Sequence, residues 1–288
     1  MKQLRQYIRG ILIENKLSGR SLQNVLSLLD GYASNTWVFF DTETTGLEPS
    51  SSQLTEIGAI AVDPNIWNSD ATILDQFNEK IKLTPASIRL LNDPASRERK
   101  AWEKGIKNAR NPMKDPQAIL SMTRYGEQGR TFGDEQFVLD RFFEWSASFS
   151  NPLFIAQNAS FDLKFLSVRS GGKLPKYPVL DTKQLMEMYL IPLLKTQVKA
   201  EQGDPAAQRL LDKLYVKRGN WGYHSSSMGI VAKAYGISID DWHNALADVK
   251  MMMAMYKNVV NTLKDGMTVD ISKEHGKVMS SQKRKKHR

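Results

Sequence analysis

The run WVFFDTETTGL, Trp37 to Leu47, constrains this chain more than any other segment. Val38, Phe39 and Phe40 read as a buried strand, yet Asp41 and Glu43 follow at its end and a glycine turn closes it. A carboxylate is costly to bury unless it is paired, hydrogen-bonded or bound to a cation. Two positions apart on a strand, these two share a face, with Cβ atoms roughly 6–7 Å apart. Oxygen donors at that spacing suit Mg²⁺ or Mn²⁺. About one D-x-E arises by chance in a chain this size at average composition. The pair therefore needs partners elsewhere in the sequence.

Two neighbouring strands, TWVFFDTE and QLTEIGAIAVD, flank a loop rich in turn residues, and a third strand fits QFNEKIKL. Helical spacing in DEQFVLDRFFEWSAS precedes a short strand, LFIAQN, which leads into a helix starting near ASFDLKFLSVR. YPVLDTKQLMEMYLI repeats the strand-to-helix switch, with Asp181 or Thr182 able to cap. SSSMGIVAKAYG and ALADVKMMMAMYKNVVNTL complete the set as helices. Strands first, then alternating helices and strands, indicate an α/β fold: a mixed sheet flanked by helices. The expected organisation is an N-terminal helical extension over 1–34, a main domain over 35–265 and a basic, disordered tail over 266–288 that ends KRKKHR. Residues 85–130 read as a polar, proline-broken, exposed connection.

With no cysteine in 288 residues, disulfides and thiolate metal sites are excluded, and a reducing cytoplasm is the simplest home. No apolar run reaches the ~18 residues of a membrane span, and no secretory signal opens the chain. No membrane role is expected. The net charge of +9 favours a polyanionic partner. Arg97, Arg99, Lys100, Lys104, Lys107 and Arg110 could line one wall of a groove, and the tail could add non-specific affinity; solvated surface is the competing reading for both.

Asp162 lies just after a hydrophobic strand at the start of a helix, where it is either a helix cap or a metal ligand. His243 and Asp248, five apart, would stand about 140° apart on one continuous helix. If that helix begins at Asn244 or Ala245, His243 sits in the preceding loop and can fold back over Asp248. Of four histidines, two lie in the tail and His224 opens a serine-rich stretch, so His243 is the acid–base candidate.

FFDTETTGL, QNASFDLKFL and HNALADV, in that order, resemble the three motifs of the DnaQ-like 3′→5′ exonucleases, DEDDh branch. The resemblance covers about residues 35–265, with 85–130 and 190–220 matching poorly. Gln157 departs from it, standing where the family usually has histidine. The resemblance implies an RNase H-like fold and a two-metal phosphodiester hydrolase using two Mg²⁺ or Mn²⁺ ions. It implies Asp41, Glu43, Asp162 and Asp248 as ligands and His243 as general base. Thr44, Leu47, Asn158 and Phe161 become substrate contacts.

The expected substrate is DNA with a single-stranded or frayed 3′ end, releasing nucleoside 5′-monophosphates. RNA, and a non-catalytic nucleic-acid-binding module, are the rivals. Proofreading or repair would require a separate protein partner, with the N-terminal helices as its docking surface. A cytoplasmic bacterial or phage setting follows from the family's distribution.

Overall fold

The computed structural model describes residues 31–66, 73–97, 99–100, 133–200, 203–238 and 244–285, the side chains of 266–285 excepted. The two helices expected before residue 31, and Lys104, Lys107 and Arg110 of the basic connection, lie outside the described residues. Contacts divide the segment read as one domain into two compact units. A sheet unit holds Ser34–Thr182 and Ile237–Ala254, and a helical unit holds Lys183–Gly236 and the chain from Met255.

The sheet unit is built on five strands: β1 (Trp37–Thr44), β2 (Leu54–Val62), β3 (Ile73–Lys80), β4 (Leu153–Ala156) and β5 (Val179–Asp181). Their order is β3-β2-β1-β4-β5, with β1–β2 and β2–β3 antiparallel and β1–β4 and β4–β5 parallel. The result is the mixed, helix-flanked sheet that the order of strands and helices led us to expect. The apolar start of β1 is explained by its place: Trp37 to Phe40 lie at the sheet centre and are buried on both faces.

One face carries Val38 and Phe40 of β1, Ala59 and Ala61 of β2, Phe77 and Phe154. It packs on α2 (Glu135–Ala147) through Leu139 and Phe142, and on α3 (Ala159–Arg169) through Leu163, Phe165 and Leu166; α1 (Pro85–Asn92) precedes them in the chain, capped by Thr84. The rings Phe40–Phe154 and Phe77–Phe142 lie 5.0 and 5.5 Å apart. Truncating one such phenylalanine to alanine should cost about 3–5 kcal/mol. Glu135 joins this layer to the sheet: its carboxylate accepts from Arg169 of α3 through both oxygens, and from the Leu54 N–H at the start of β2.

In the helical unit, a helix beginning as α4 (Thr182–Leu185) passes through a π turn at Met186–Leu190 into α5 (Ile191–Lys199). Next comes α6 (Pro205–Leu214), with proline in its first turn and Asp204 accepting from the Ala206 and Ala207 N–H groups. It packs on α5 and on α7 (Met228–Ala234). Between α6 and α7 stands a two-stranded hairpin, β6 (Tyr215–Arg218) and β7 (Trp221–His224), which the hydrophobic pattern did not announce. The last helix, α8 (Ala245–Lys285), runs on past Gly266, where the apolar stripe ends and a disordered tail was expected.

Candidate active site

β1 runs past the end of β4: their pairing stops at Phe39–Ile155, while β1 continues to Thr44. The carboxylates sit on this overhang. Asp41 is registered opposite Gly58 and Glu43 opposite Glu56 on β2, and the β1–β2 register shifts immediately after Glu43. Asp41 and Glu43 therefore share one sheet face, as their spacing requires, and both are half-buried.

Asp248 arrives from the start of α8. The helix begins at Ala245, with Asn244 as its cap: Asn244 Oδ1 accepts from the Ala247 N–H at 3.1 Å, and its carbonyl from the Asp248 N–H at 2.9 Å. The cap is tied to the sheet, since Asn244 Nδ2 donates to Glu56 Oε1 at 3.3 Å and Glu56 also accepts from the Ala245 N–H. Gly58 lets the helix come this close: a Cβ there would lie 2.5 Å from the Ala245 carbonyl carbon and the Leu246 nitrogen. Asp248 is left 4% exposed, and carboxylate oxygens of Asp41, Glu43 and Asp248 lie within 4.8 Å of one another.

Asp162 is 3% exposed in the first turn of α3, on the side where β4 has ended. The Thr42 N–H and hydroxyl both donate to its Oδ1, at 3.1 and 2.7 Å. Thr42 is buried, as expected for a residue facing away from Asp41 and Glu43, and it also holds Asp162 beside the pair. Asp162 does not cap its helix; Asn158 occupies that position, in the left-handed region at φ 61°.

His243 lies outside the described residues; the helix start at Ala245 leaves it two positions ahead of the first helical residue. The Thr44 hydroxyl donates to the Gly46 carbonyl at 2.7 Å, and Leu47 is 68% exposed at the loop tip. Asn158 is exposed, its N–H donating to Oδ1 of Asp181, one of the two residues read as able to cap α4. Phe161 is half-buried, its ring 5.0 Å from Phe165. The Gln157 amide oxygen accepts from Thr182 Oγ1.

No family model matches the chain. It is 26% identical over 250 residues to a DNA polymerase III PolC-type protein of Clostridium perfringens, and 24% identical over 234 residues to one of Staphylococcus haemolyticus. Those alignments cover 85% and 80% of this chain but 13% and 12% of the relatives, so the chain spans only a small part of their length. The chain is similar to one part of these PolC-type proteins. Among solved structures, E. coli Exonuclease I with a dA16 oligonucleotide aligns over 82% of this chain and 42% of its own, at 15% identity and a TM-score of 0.48.

The carboxylate cluster is strongly self-repelling. Burial, then Asp162, Glu43, Asp248 and Glu56, hold the Asp41 carboxyl well above its ordinary range. Burial, followed by Asp248, Glu56 and Asp162, pushes Glu43 up to about 8. Burial raises Asp162 to about 7 against the two Thr42 hydrogen bonds. Among the described residues, every charged neighbour acting on Asp41 and on Glu43 is another carboxylate. An all-oxygen, all-anionic donor set of this kind fits a hard divalent cation, and Asp41, Glu43 and Asp248 could hold one.

Thr42, Glu56, Gly58 and Asn244 are the working parts that sequence reasoning passed over. A glycine and a glutamate inside the apolar run EIGAIAV were the available signal for two of them.

Proposed function

We propose that this chain is a metal-dependent 3′→5′ exonuclease that hydrolyses DNA from single-stranded or frayed 3′ ends and releases nucleoside 5′-monophosphates. The observation that carries this reading is the convergence of Asp41, Glu43 and Asp248 to within 4.8 Å, with Asp162 held against them by Thr42. The PolC-type relatives, named as DNA polymerases, favour DNA over RNA as substrate and proofreading beside a polymerase as setting.

Asp41, Glu43, Asp162 and Asp248 would hold two Mg²⁺ or Mn²⁺ ions, which supply Lewis acidity for activating water and offsetting charge on the departing oxygen. The rest is done by the chain. Asp41 and Glu43 are aimed by strand alternation, Asp248 by the Asn244 cap and its Glu56 tether, and Asp162 by the double donation from Thr42. His243, ahead of the helix, accepts the proton of the attacking water as the water oxygen bonds to phosphorus and the P–O3′ bond breaks. The leaving 3′ oxygen takes its proton from solvent.

The Thr44 hydroxyl proton is committed to Gly46, so Oγ1 is left as an acceptor for a terminal 3′-OH. Leu47, exposed at the loop tip, presses against a terminal base, and Asn158 and Phe161 flank the second motif near the substrate.

One assay tests the reading. End-labelled single-stranded DNA, duplex DNA and RNA are incubated with Mg²⁺, Mn²⁺ or EDTA, with Asp41→Ala as control. The expected result is stepwise, EDTA-sensitive shortening of single-stranded DNA from its 3′ end, absent in the variant. Faster shortening of RNA moves the substrate to RNA; activity in EDTA or in Asp41→Ala removes the site from the chemistry.

A further inference from the structure

The hairpin of the helical unit presents a problem that folding does not answer. β6 and β7 pair Tyr215 with His224, Val216 with Tyr223, Lys217 with Gly222 and Arg218 with Trp221. Gly219, at φ 58°, takes the first position of the two-residue turn, where a glycine is favoured. An isolated two-stranded hairpin is marginal unless one face is buried, and here only Val216 and His224 are even half-buried.

The two faces differ in what their aromatic residues do. On one, Tyr215 lies across Gly222, where a Cβ would meet the tyrosine ring and hydroxyl, and its ring meets the edge of His224 at 5.7 Å. That ring braces the hairpin by covering a glycine. On the opposite face, Trp221 is 81% exposed and Tyr223 44% exposed. Neither makes a ring contact among the described residues, and both could be smaller without loss to the fold.

These two rings stand two positions apart on one strand, about 6.7 Å by strand rise, with Arg218 directly across from Trp221. Lys217 and Arg218 are exposed and have no ion pair among the described residues. From Lys213 to Ile239 the sequence holds no Asp or Glu; Asp212, which faces His224 together with Lys195, lies at the base of the hairpin. Unsupported aromatic rings beside Arg218, which shares their face while Lys217 lies on the other, form a stacking platform with charge for a phosphate backbone.

We propose that the Trp221–Tyr223 face of this hairpin binds single-stranded DNA, stacking successive bases on the two rings while Arg218, on the same face, meets a phosphate. The inference rests on nucleic acid being the substrate of this chain. Binding is read without hydrolysis so that the two can fail separately.

The full chain is titrated in EDTA against 5′-labelled oligo(dT) and oligo(rU) by fluorescence anisotropy. Trp221→Ala with Tyr223→Ala should weaken oligo(dT) binding at least about thirtyfold, the loss of stacking on the two rings. Trp221→Phe should keep affinity within threefold. Arg218→Gln should lower the slope of log affinity against log salt by about 0.7.

Melting temperature should stay unchanged in all of them, because Trp221 and Arg218 support nothing else. A loss below threefold in the double variant, a loss confined to oligo(rU), or an unchanged salt slope overturns the inference. Hairpin-dependent binding without any hydrolysis would leave it standing and overturn the proposed function. Hairpin-independent binding with intact hydrolysis does the reverse.

Discussion

In the sheet unit, carboxylates occupy places where apolar side chains belong; in the helical unit, aromatic rings occupy places where charged side chains belong. Asp162, Asp248 and Glu56 are as buried as the core hydrophobics, whereas Tyr215, Trp221 and Tyr223 face solvent from β6 and β7. The two departures differ greatly in energetic weight. An unpaired buried charge costs several kcal/mol, while an exposed ring costs the fold almost nothing.

The sheet unit therefore needs a supporting network, with Thr42 on Asp162, Glu56 and Asn244 on the helix start, and Gly58 clearing the approach. The hairpin needs only Tyr215 over Gly222. Buried charge leaves a structural trace that can be followed residue by residue. Exposed aromatic surface leaves almost none.

The contrast can be tested most severely at Asp41. Asp41→Asn should lower exonuclease turnover by about 10³-fold, since the proposed cation site loses one of its carboxylate ligands. It should also raise the melting temperature in EDTA, because the removed charge is repelled by Asp162, Glu43 and Asp248. A variant that is both inactive and less stable would show that Asp41 holds the fold together.

His243→Ala should slow turnover by roughly 10²–10³-fold while leaving Mn²⁺ binding, read by calorimetry, within a few-fold. Near-wild-type turnover removes it from the mechanism. Gly58→Val drives its side chain into the backbone of Ala245 and Leu246. It should destabilise by about 1–3 kcal/mol in urea unfolding and weaken Mn²⁺ binding by moving Asp248; unchanged values on both counts would mean the helix start is free to shift.

Thr42→Val keeps the shape and the N–H but removes the 2.7 Å hydroxyl donor to Asp162. A loss of about tenfold in turnover is expected, with KM little changed, from one hydrogen bond to a charged group.

pH should separate the two units more gently. Glu43, at about 8, and Asp162, at about 7, bind protons more tightly in the folded chain than in the unfolded one. The metal-free fold is thus favoured below the ordinary carboxylate range and loses that advantage as pH rises toward 8. Its melting temperature in EDTA should fall from pH 5 to pH 8, and added Mn²⁺ should restore more at pH 8 than at pH 5. Equal shifts at both values would detach these carboxyls from the cation. The smallest effect belongs to the hairpin, where Trp221→Ala should leave unfolding stability within about 0.5 kcal/mol.

Much of the sheet unit was legible from local pattern. The strands, the helices after them and the common face of Asp41 and Glu43 all follow from periodicities of two and 3.6. The reading of Asp248 depended on where one helix begins, and Asn244, a strong capping residue, decided it. Thr42 was legible only as core, because nothing near it in sequence announces a bond to a residue 120 positions away. Gly58 and Glu56 looked like irregularities in an apolar strand. Residues 190–220 resembled nothing familiar, and the hairpin there was missed although RGNW carries a turn signal between short exposed strands.

By itself the sequence determined which residues alternate, where the helices of the sheet unit start, and that four carboxylates lie next to hydrophobic strands. These depend on neighbours within a few positions, where backbone geometry is nearly fixed. The tertiary structure decided that β4 stops short of Asp41, that a helix can touch β2 at Gly58, and that one ring of the hairpin is used while two are spare. Each of those turns on contacts between distant segments, and chain entropy leaves such contacts open until packing chooses among them.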